Sequence, residues 1–385
     1  MFRCRMPQIQ AGEGVLSDIG KIAVKYGNRA MLCVDPFLDK NGVGEKIIAR
    51  LSANNIDAVK FSEIEPNPSC FSADRAALMA QEFNADLIIA AGGGSALDFG
   101  KAVSITAVNP GACWDYTERS DHQIKRPGIT LPVIAIPSTS GTGSEATPFA
   151  VLNNPSIHEK STIVSDCIYA AEALLDPELT YTMPKRLTAS TGFDAFAHCL
   201  ESYISLAANP FTRMTAMEGM KIIVRNLAAS VNNSSGIDNR GNMAWGSFLG
   251  GSAISCIGVT LPHSLGQPVG GYCNAPHGEC VAACMVEVLK LGCDSNPQIF
   301  SDIAFILDDS LEGLSVQQRA DACPQLVEQF LGTIGLKVRF SDFGLTAADI
   351  DKVTRIALTG YYFDIRQHPR RVTEQDIREL YKRCL

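Results

Sequence analysis

Four side chains carry the densest chemistry in the chain. Asp194 and His198 stand four residues apart in Thr-Gly-Phe-Asp194-Ala-Phe-Ala-His198-Cys-Leu-Glu. On a helix, positions i and i+4 face the same way. His263 lies in Thr-Leu-Pro-His263-Ser-Leu-Gly-Gln267-Pro, and His277 follows fourteen residues later in Asn-Ala-Pro-His277-Gly-Glu. Three imidazoles and a carboxylate suit a divalent transition metal such as Fe²⁺ or Zn²⁺, with room for a substrate oxygen. Taken singly, each of these histidines reads as a core residue satisfied by a nearby acid. The metal reading requires all four residues to converge, which spacing alone does not establish. The chain's other histidines are His122, His158 and His368.

A second chemical signal is Gly92-Gly-Gly-Ser-Ala-Leu-Asp-Phe-Gly-Lys101, which follows a buried strand and opens a helix. Glycines let the backbone approach a phosphate closely. Ser95 and Asp98 have the spacing of a helix cap with an acid in the first turn. Leu97 occupies the third glycine position of G-x-G-x-x-G, so this is not the Rossmann fingerprint, and the Walker pattern is absent too. The alternative is a tight turn with no ligand. Pro137-Ser-Thr-Ser-Gly-Thr-Gly-Ser-Glu145 follows the next strand and could wrap the same ligand, since ligands bind at the C-terminal edge of parallel sheets. Asp35 ends the first buried strand. There it could accept hydrogen bonds from an adenosine ribose and repel a 2′-phosphate, favouring NAD over NADP, or it could simply start a turn.

These residues need a scaffold, and the chain alternates strand and helix patterns to supply one. Strands are expected at Ala30–Asp35, Ala58–Phe61, Asp86–Ala91 and Leu131–Ile136, with helices at Gly44–Ala53, Ala73–Phe83 and Ser95–Ile105 between them. Such alternation argues for a parallel sheet with helices on both faces. After Pro184 the strand signals fade. Helical stretches follow at Ala189–Ser205, Pro210–Val231, Ala244–Ile257, Glu279–Leu291, Ala320–Leu331 and Glu374–Cys384, with Asn232–Gly241 as a surface loop. The expected plan is an α/β domain over residues 1–178 and an all-helical domain over residues 179–385.

Composition narrows the class. The chain has 385 residues, 46% of them hydrophobic, which is enough for a sizeable core. A net charge of −8 argues against a broad basic surface for nucleic acid or anionic membrane. Thirteen scattered cysteines, with no Cys-x-x-Cys pair, read as reduced thiols of a cytoplasmic protein. The first residues contain no apolar secretory segment, and no run of about 18 apolar residues suggests a membrane span.

Taken in order, Gly-Gly-Gly-Ser-x-x-Asp-x-x-Lys, Pro-Ser-Thr-Ser-Gly-Thr-Gly-Ser-Glu, Asp176-Pro-Glu-Leu-Thr, Thr-Gly-Phe-Asp-Ala-x-x-His and His-x₁₃-His-Gly resemble the iron-containing (group III) alcohol dehydrogenases. The resemblance spans nearly the whole chain. It implies a dehydroquinate synthase-like two-domain plan, with a dinucleotide-binding α/β domain followed by a helical domain. It implies Asp194, His198, His263 and His277 as ligands of iron or zinc. It places Gly93, Gly94 and Ser95 at the pyrophosphate of NAD, Thr139 and Thr142 in a second cofactor loop, and Lys160 near the nicotinamide ribose. Asn67 would lie at the cofactor cleft, and Asp35 would select NAD. A small alcohol or aldehyde is the implied substrate, and a homodimer or larger homo-oligomer the implied assembly.

Two departures stand out. Many members carry a second histidine where this chain has Gln267, which cannot titrate near neutrality. The segment before the family's Asn-Pro-Arg reads Asp364-Ile-Arg366-Gln-His368-Pro-Arg370. Arg366 there either reaches the active cleft and pairs with an anionic substrate tail or lies on the surface. Three other readings share parts of this pattern. They are a glycerol dehydrogenase-type enzyme, a dehydroquinate synthase-type lyase, against which the Asp-x₃-His pair speaks, and a non-catalytic nucleotide-binding protein.

Overall fold

The computed structural model describes residues 4–118, 123–157, 159–233 and 236–385. His122, His158 and residues 234–235 of the expected loop lie outside them. Contacts divide the chain into two units. One comprises Arg5–Thr139 and Gly143–Tyr181, and the other Thr182–Leu385 with Cys4 and Ser140–Thr142.

The first unit is built on a six-stranded sheet. Its strands are β1 (Gln8–Ala11), β2 (Arg29–Val34), β3 (Asp57–Phe61), β4 (Leu87–Gly92), β5 (Val133–Pro137) and β8 (Glu172–Leu175), in the order β1-β8-β5-β4-β2-β3. All five pairings are parallel. Side chains alternate faces along each strand, so Met31, Cys33, Ile88, Ala90 and Ala135 enter one core while Leu32, Val34, Ile89, Ala91 and Ile136 enter the other. A sheet buried on both faces needs continuous apolar strands, which is what β2, β4 and β5 provide. Helices α1 (Ile19–Ala23), α2 (Pro36–Lys40), α3 (Val43–Ser52), α4 (Cys70–Phe83) and α5 (Gly94–Thr106) accompany the sheet. An antiparallel hairpin, β6 (Phe149–Asn154) with β7 (Glu159–Val164), completes the unit. The strand order reverses direction between β2 and β4, and at such a point the loops at the C-terminal edge leave a crevice.

The second unit is helical throughout its described residues. Its helices are α6 (Lys185–Ile204), α7 (Pro210–Asn232), α8 (Ile237–Ile257), α9 (Leu261–Cys273), α10 (His277–Gly292), α11 (Pro297–Leu307), α12 (Val316–Thr333), α13 (Ile350–Gly360), α14 (Tyr362–Gln367) and α15 (Glu374–Arg383). Two apolar clusters fill it, one centred on Phe193, Phe196 and Phe300, the other on Leu265, Phe340 and Tyr381. Among the described residues, no single helix is long and apolar enough to cross a membrane.

Two local expectations are corrected. The surface loop is shorter than Asn232–Gly241, because α7 runs to Asn232 and Ile237–Gly241 forms the first turn of α8. Ser95 does not cap α5: the cap position is Gly93, and the Ser95 hydroxyl accepts from the Asn67 N–H instead.

Candidate metal centre and cofactor edge

Helix α6 is buried along almost its whole length from Thr188 onward, so any polar residue there needs a partner. Asp194, His198 and Glu201 fall at i, i+4 and i+7 and share one face. Pro262 in the first turn of α9 costs no helical hydrogen bond and sets His263 beside it. His277 is the first residue of α10, directly after Pro276. These helices meet closely. A Cβ on Gly278 would lie 2.3 Å from the Ser190 carbonyl oxygen, and one on Gly266 would lie 3.0 Å from the Cys280–Val281 backbone.

One carboxylate oxygen faces all three imidazoles. Asp194 Oδ1 lies 3.3 Å from His263 Nε2, 3.5 Å from His277 Nε2 and 3.9 Å from His198 Nε2. The donor atoms of Asp194, His263 and His277 lie within 4.8 Å of one another. His198 stands at the edge of this group with its ring stacked on His263, centroids 4.7 Å apart. Asp194, His198 and His263 are buried, whereas the His277 side chain is 42% exposed, which leaves the cluster open on that side.

The donor set suits a divalent transition metal. Asp194 Oδ1 and His263 Nε2 are buried and lack hydrogen-bond partners, an expensive arrangement unless both lone pairs serve an ion. Behind them, His263 Nδ1 makes a very short contact with Glu201 Oε1. Glu201 is fully buried, and its other oxygen accepts from Thr260 N at 2.7 Å and Thr260 Oγ1 at 3.1 Å. A carboxylate behind a ligating imidazole fixes the ring's tautomer and turns the other nitrogen toward the metal.

The charges are strongly coupled. Burial pushes the Asp194 carboxyl up, but His198, His277 and His263 outweigh it and hold it well below the usual range. Burial likewise lowers His263, yet Glu201 and Asp194 prevail and raise it to about 10. His198 goes the other way, with burial lowering its pKa against the pull of Asp194.

In the α/β unit, the expected cofactor residues gather at the sheet's C-terminal edge. Asp35 N donates to the Ala91 carbonyl at 2.8 Å, and Ser138 N donates to that of Gly92 at 2.9 Å. Gly92 has φ 151°, and a Cβ there would lie 2.7 Å from Asp35 Cβ, so only glycine lets the two strand ends approach. A Cβ on Gly93 would lie 3.4 Å from the Thr139 methyl. Asn67 adopts a left-handed conformation (φ 61°), donating its N–H to Ser95 Oγ at 3.4 Å while its side-chain oxygen accepts from Lys160 Nζ at 2.8 Å. Ser95, Asn67 and Lys160, far apart in sequence, thus form one hydrogen-bonded chain. Asp35 Oδ1 also caps α2, accepting from Phe37 N and Leu38 N, so its turn-forming role is real whatever else it does.

Thr142 packs with the helical unit, as does Gly141, where a Cβ would lie 2.7 Å from Thr191 Cβ on α6. Gln267 is half-buried, one turn after His263 on α9. Arg366 is exposed, with its guanidinium 5.5 Å above the Tyr362 ring.

Sequence reasoning passed over Glu201, although its place three residues after His198 was a readable signal. It also passed over Arg186. This residue on the first turn of α6 grips Glu279, two residues after His277, through Nε at 2.7 Å and an Nη at 2.6 Å. Nothing in the one-dimensional spacing announces that pair.

A helical unit with an Asp/His₃ donor cluster, in a chain that also carries a parallel-sheet unit with a glycine turn, defines a metal- and nucleotide-dependent enzyme class. Known proteins agree. The profile of the iron-containing alcohol dehydrogenases matches residues 7–177, and that of the family's C-terminal domain matches residues 188–385. An NAD-dependent methanol dehydrogenase of Bacillus methanolicus is 29% identical, with 98% of each chain covered. A sulfoacetaldehyde reductase of Bilophila wadsworthia is 33% identical, over 84% of this chain and 83% of its own. The crystal structure of a 1,3-propanediol oxidoreductase superposes over 100% of both chains, with a TM-score of 0.94 at 29% identity. The chain belongs to the iron-containing alcohol dehydrogenase family. It is an oxidoreductase acting on alcohol or aldehyde groups, in a family that uses NAD(H) and iron; the lyase and non-catalytic readings are not favoured.

Proposed function

We propose that this enzyme interconverts a small primary alcohol and its aldehyde, working as an NADH-dependent aldehyde reductase in one direction, with iron held by Asp194, His198, His263 and His277. The observation that carries the reading is the convergence of three imidazole nitrogens on Asp194 Oδ1. The single carboxylate leaves a bound divalent ion with net positive charge. Glu201 orients His263, and the exposed side of His277 leaves a way in for substrate. When bound, the metal supplies Lewis acidity that polarises the substrate oxygen, and NAD(H) supplies or accepts the hydride. Asn67, Ser95 and Lys160 are suited to hold the cofactor's ribose and phosphates, and Asp35 to disfavour a 2′-phosphate. Gln267 can orient a hydroxyl but not carry a proton, so proton movement falls to water, a ribose hydroxyl or another side chain. The reading includes a cytoplasmic homo-oligomer, which light scattering after gel filtration tests for assembly.

The deciding experiment is an aldehyde panel after anaerobic Fe²⁺ reconstitution, run with NADH and NADPH and including carboxylate- and sulfonate-tailed aldehydes. Turnover should require metal and prefer NADH by at least about tenfold, or ~1.4 kcal/mol. Asp35→Ser, which preserves a capping hydroxyl, should narrow that preference. Equal use of both cofactors by the wild type would leave Asp35 as a helix cap only. Arg366→Ala should raise KM selectively for tailed aldehydes if the arginine reads an anionic tail. An equal effect on neutral aldehydes would remove that role.

A further inference from the structure

We infer that Arg186 and Glu279 are positioning residues for the metal ligand His277, fixing where the first turn of α10 lies along α6. This rests on the metal reading above. Arg186, Ser190 and Asp194 stand at i, i+4 and i+8 on α6 and share a face. Three successive residues of α10 meet these three turns. Glu279 receives the Arg186 fork, with Nε donating to Oε1 at 2.7 Å and Nη2 to Oε2 at 2.6 Å. Gly278 packs on Ser190 so closely that a Cβ would lie 2.3 Å from its carbonyl oxygen. His277 Nε2 lies 3.5 Å from Asp194 Oδ1. Glu279, Gly278 and His277 are thus in register with Arg186, Ser190 and Asp194.

His277 needs this support more than the other imidazoles do. Glu201 and Thr260 brace His263 from behind, and His198 is buried within α6. His277 is 42% exposed and is the first residue of its helix, where helices fray most readily. Its ring goes where the end of α10 is seated. Gly278 permits the close approach but cannot direct it; the ion pair supplies the direction. Exposed pairs contribute little, because two hydrated side chains gain little from meeting. Here the Glu279 side chain is only 3% exposed, against 71% for that of Arg186. Two parallel hydrogen bonds from a rigid fork fix the carboxylate as a single point charge would not. An acid in the first turn already suits the positive end of α10, so helix formation alone does not call for the arginine. What the arginine adds is the tie to α6, two turns before Asp194. Removing it leaves a buried carboxylate without its donor. The carboxylate then turns toward water and draws the first turn of α10, with His277, away from Asp194.

The test measures Fe²⁺ affinity of the full-length protein by anaerobic competition with a chromogenic chelator, in wild type, Arg186→Met and Glu279→Gln. The expected result is a rise of about tenfold in the Fe²⁺ Kd for Arg186→Met and of at least about threefold for Glu279→Gln. A double-mutant cycle with His277→Ala separates positioning from folding. Once His277 is gone, Arg186→Met should weaken Fe²⁺ binding by less than about twofold. An equal loss in both backgrounds would assign the pair to stability alone and overturn the inference, as would an unchanged Kd in Arg186→Met. Where His277→Ala retains no Fe²⁺, the visible spectrum of the Co²⁺-loaded protein decides, and an Arg186→Met spectrum identical to that of wild type overturns the inference equally. If Arg186→Met does not fold, an unchanged Kd in Glu279→Gln does the same. A wild type that binds no Fe²⁺ overturns the metal reading, and the positioning role falls with it; wild-type binding with unaltered variants removes the positioning role alone.

Discussion

Glu201 shows how much of the metal centre's behaviour depends on a residue that need never touch the metal. Its carboxylate fixes His263 Nδ1 and is itself held by Thr260, so the ring cannot turn without breaking a buried network. Glu201→Gln keeps the shape and removes the charge. Metal affinity should fall by about 10–100-fold, as is usual for carboxylates behind ligating imidazoles. His263→Ala, which removes a donor outright, should abolish both metal content and turnover. Metal analysis of the two purified variants checks this, and full occupancy with normal turnover in His263→Ala would remove the site assignment. The donors themselves were legible because Asp-x₃-His is a helical spacing and histidine is scarce in this chain. The expected NAD-selecting Asp35 was legible as a strand-ending acid. Its grip on α2 was not, because a capping bond depends on the backbone conformation of the next residues.

Between residue and molecule lie the helices, and α14 sets a testable feature just beyond its end. His368 stands where the family pattern has asparagine. It is buried, and neither ring nitrogen has a hydrogen-bond partner. Burial lowers its pKa to about 4, with Glu201 opposing the shift and Arg370 adding to it. The unfolded chain binds this proton near pH 6.5 and the folded one only near 4, so folding loses stability as pH falls through that window and is unaffected above it. The expected loss is on the order of 1–3 kcal/mol between pH 7 and 4. His368→Asn should flatten this part of the profile in urea melts at pH 7.5, 6 and 5. Parallel profiles for wild type and variant would show that the histidine binds its proton as readily in the folded protein as in the unfolded chain. The long helices α6, α7, α8, α10, α12 and α15 were readable from apolar periodicity. Helix α9 was hidden by its prolines and glycines, and β1 and β8 were too short, at four residues each, to show alternation.

For the molecule as a whole, the expected metal donors share the helical unit, and all the expected cofactor residues except Thr142 share the α/β unit. Asp194, His198, His263 and His277 belong to the helical unit, whereas Asp35, Asn67, Gly93, Ser95, Thr139 and Lys160 belong to the α/β unit. Sequence reading anticipated the change from α/β to helical structure from the loss of strand signals after Pro184. It did not anticipate that Ser140–Thr142, inside a loop of the sheet unit, would pack with the helices, because only a glycine at 141 fits so close to Thr191 and that closeness is a tertiary fact. A ligand stabilises the structure it organises, so each should protect its own unit from amide exchange. Chelating the metal should speed exchange in α6, α9 and the first turns of α10, where the donors sit, and leave β2, β4 and β5 as slow as before. Adding NADH to the chelated protein should slow exchange at residues 92–97 and around Asn67 without restoring α9. Hydrogen–deuterium exchange read by mass spectrometry separates the two responses. Chelation that loosened the sheet as much as α9 would mean that the four donors do not organise a local centre, and the metal reading would lose its structural basis.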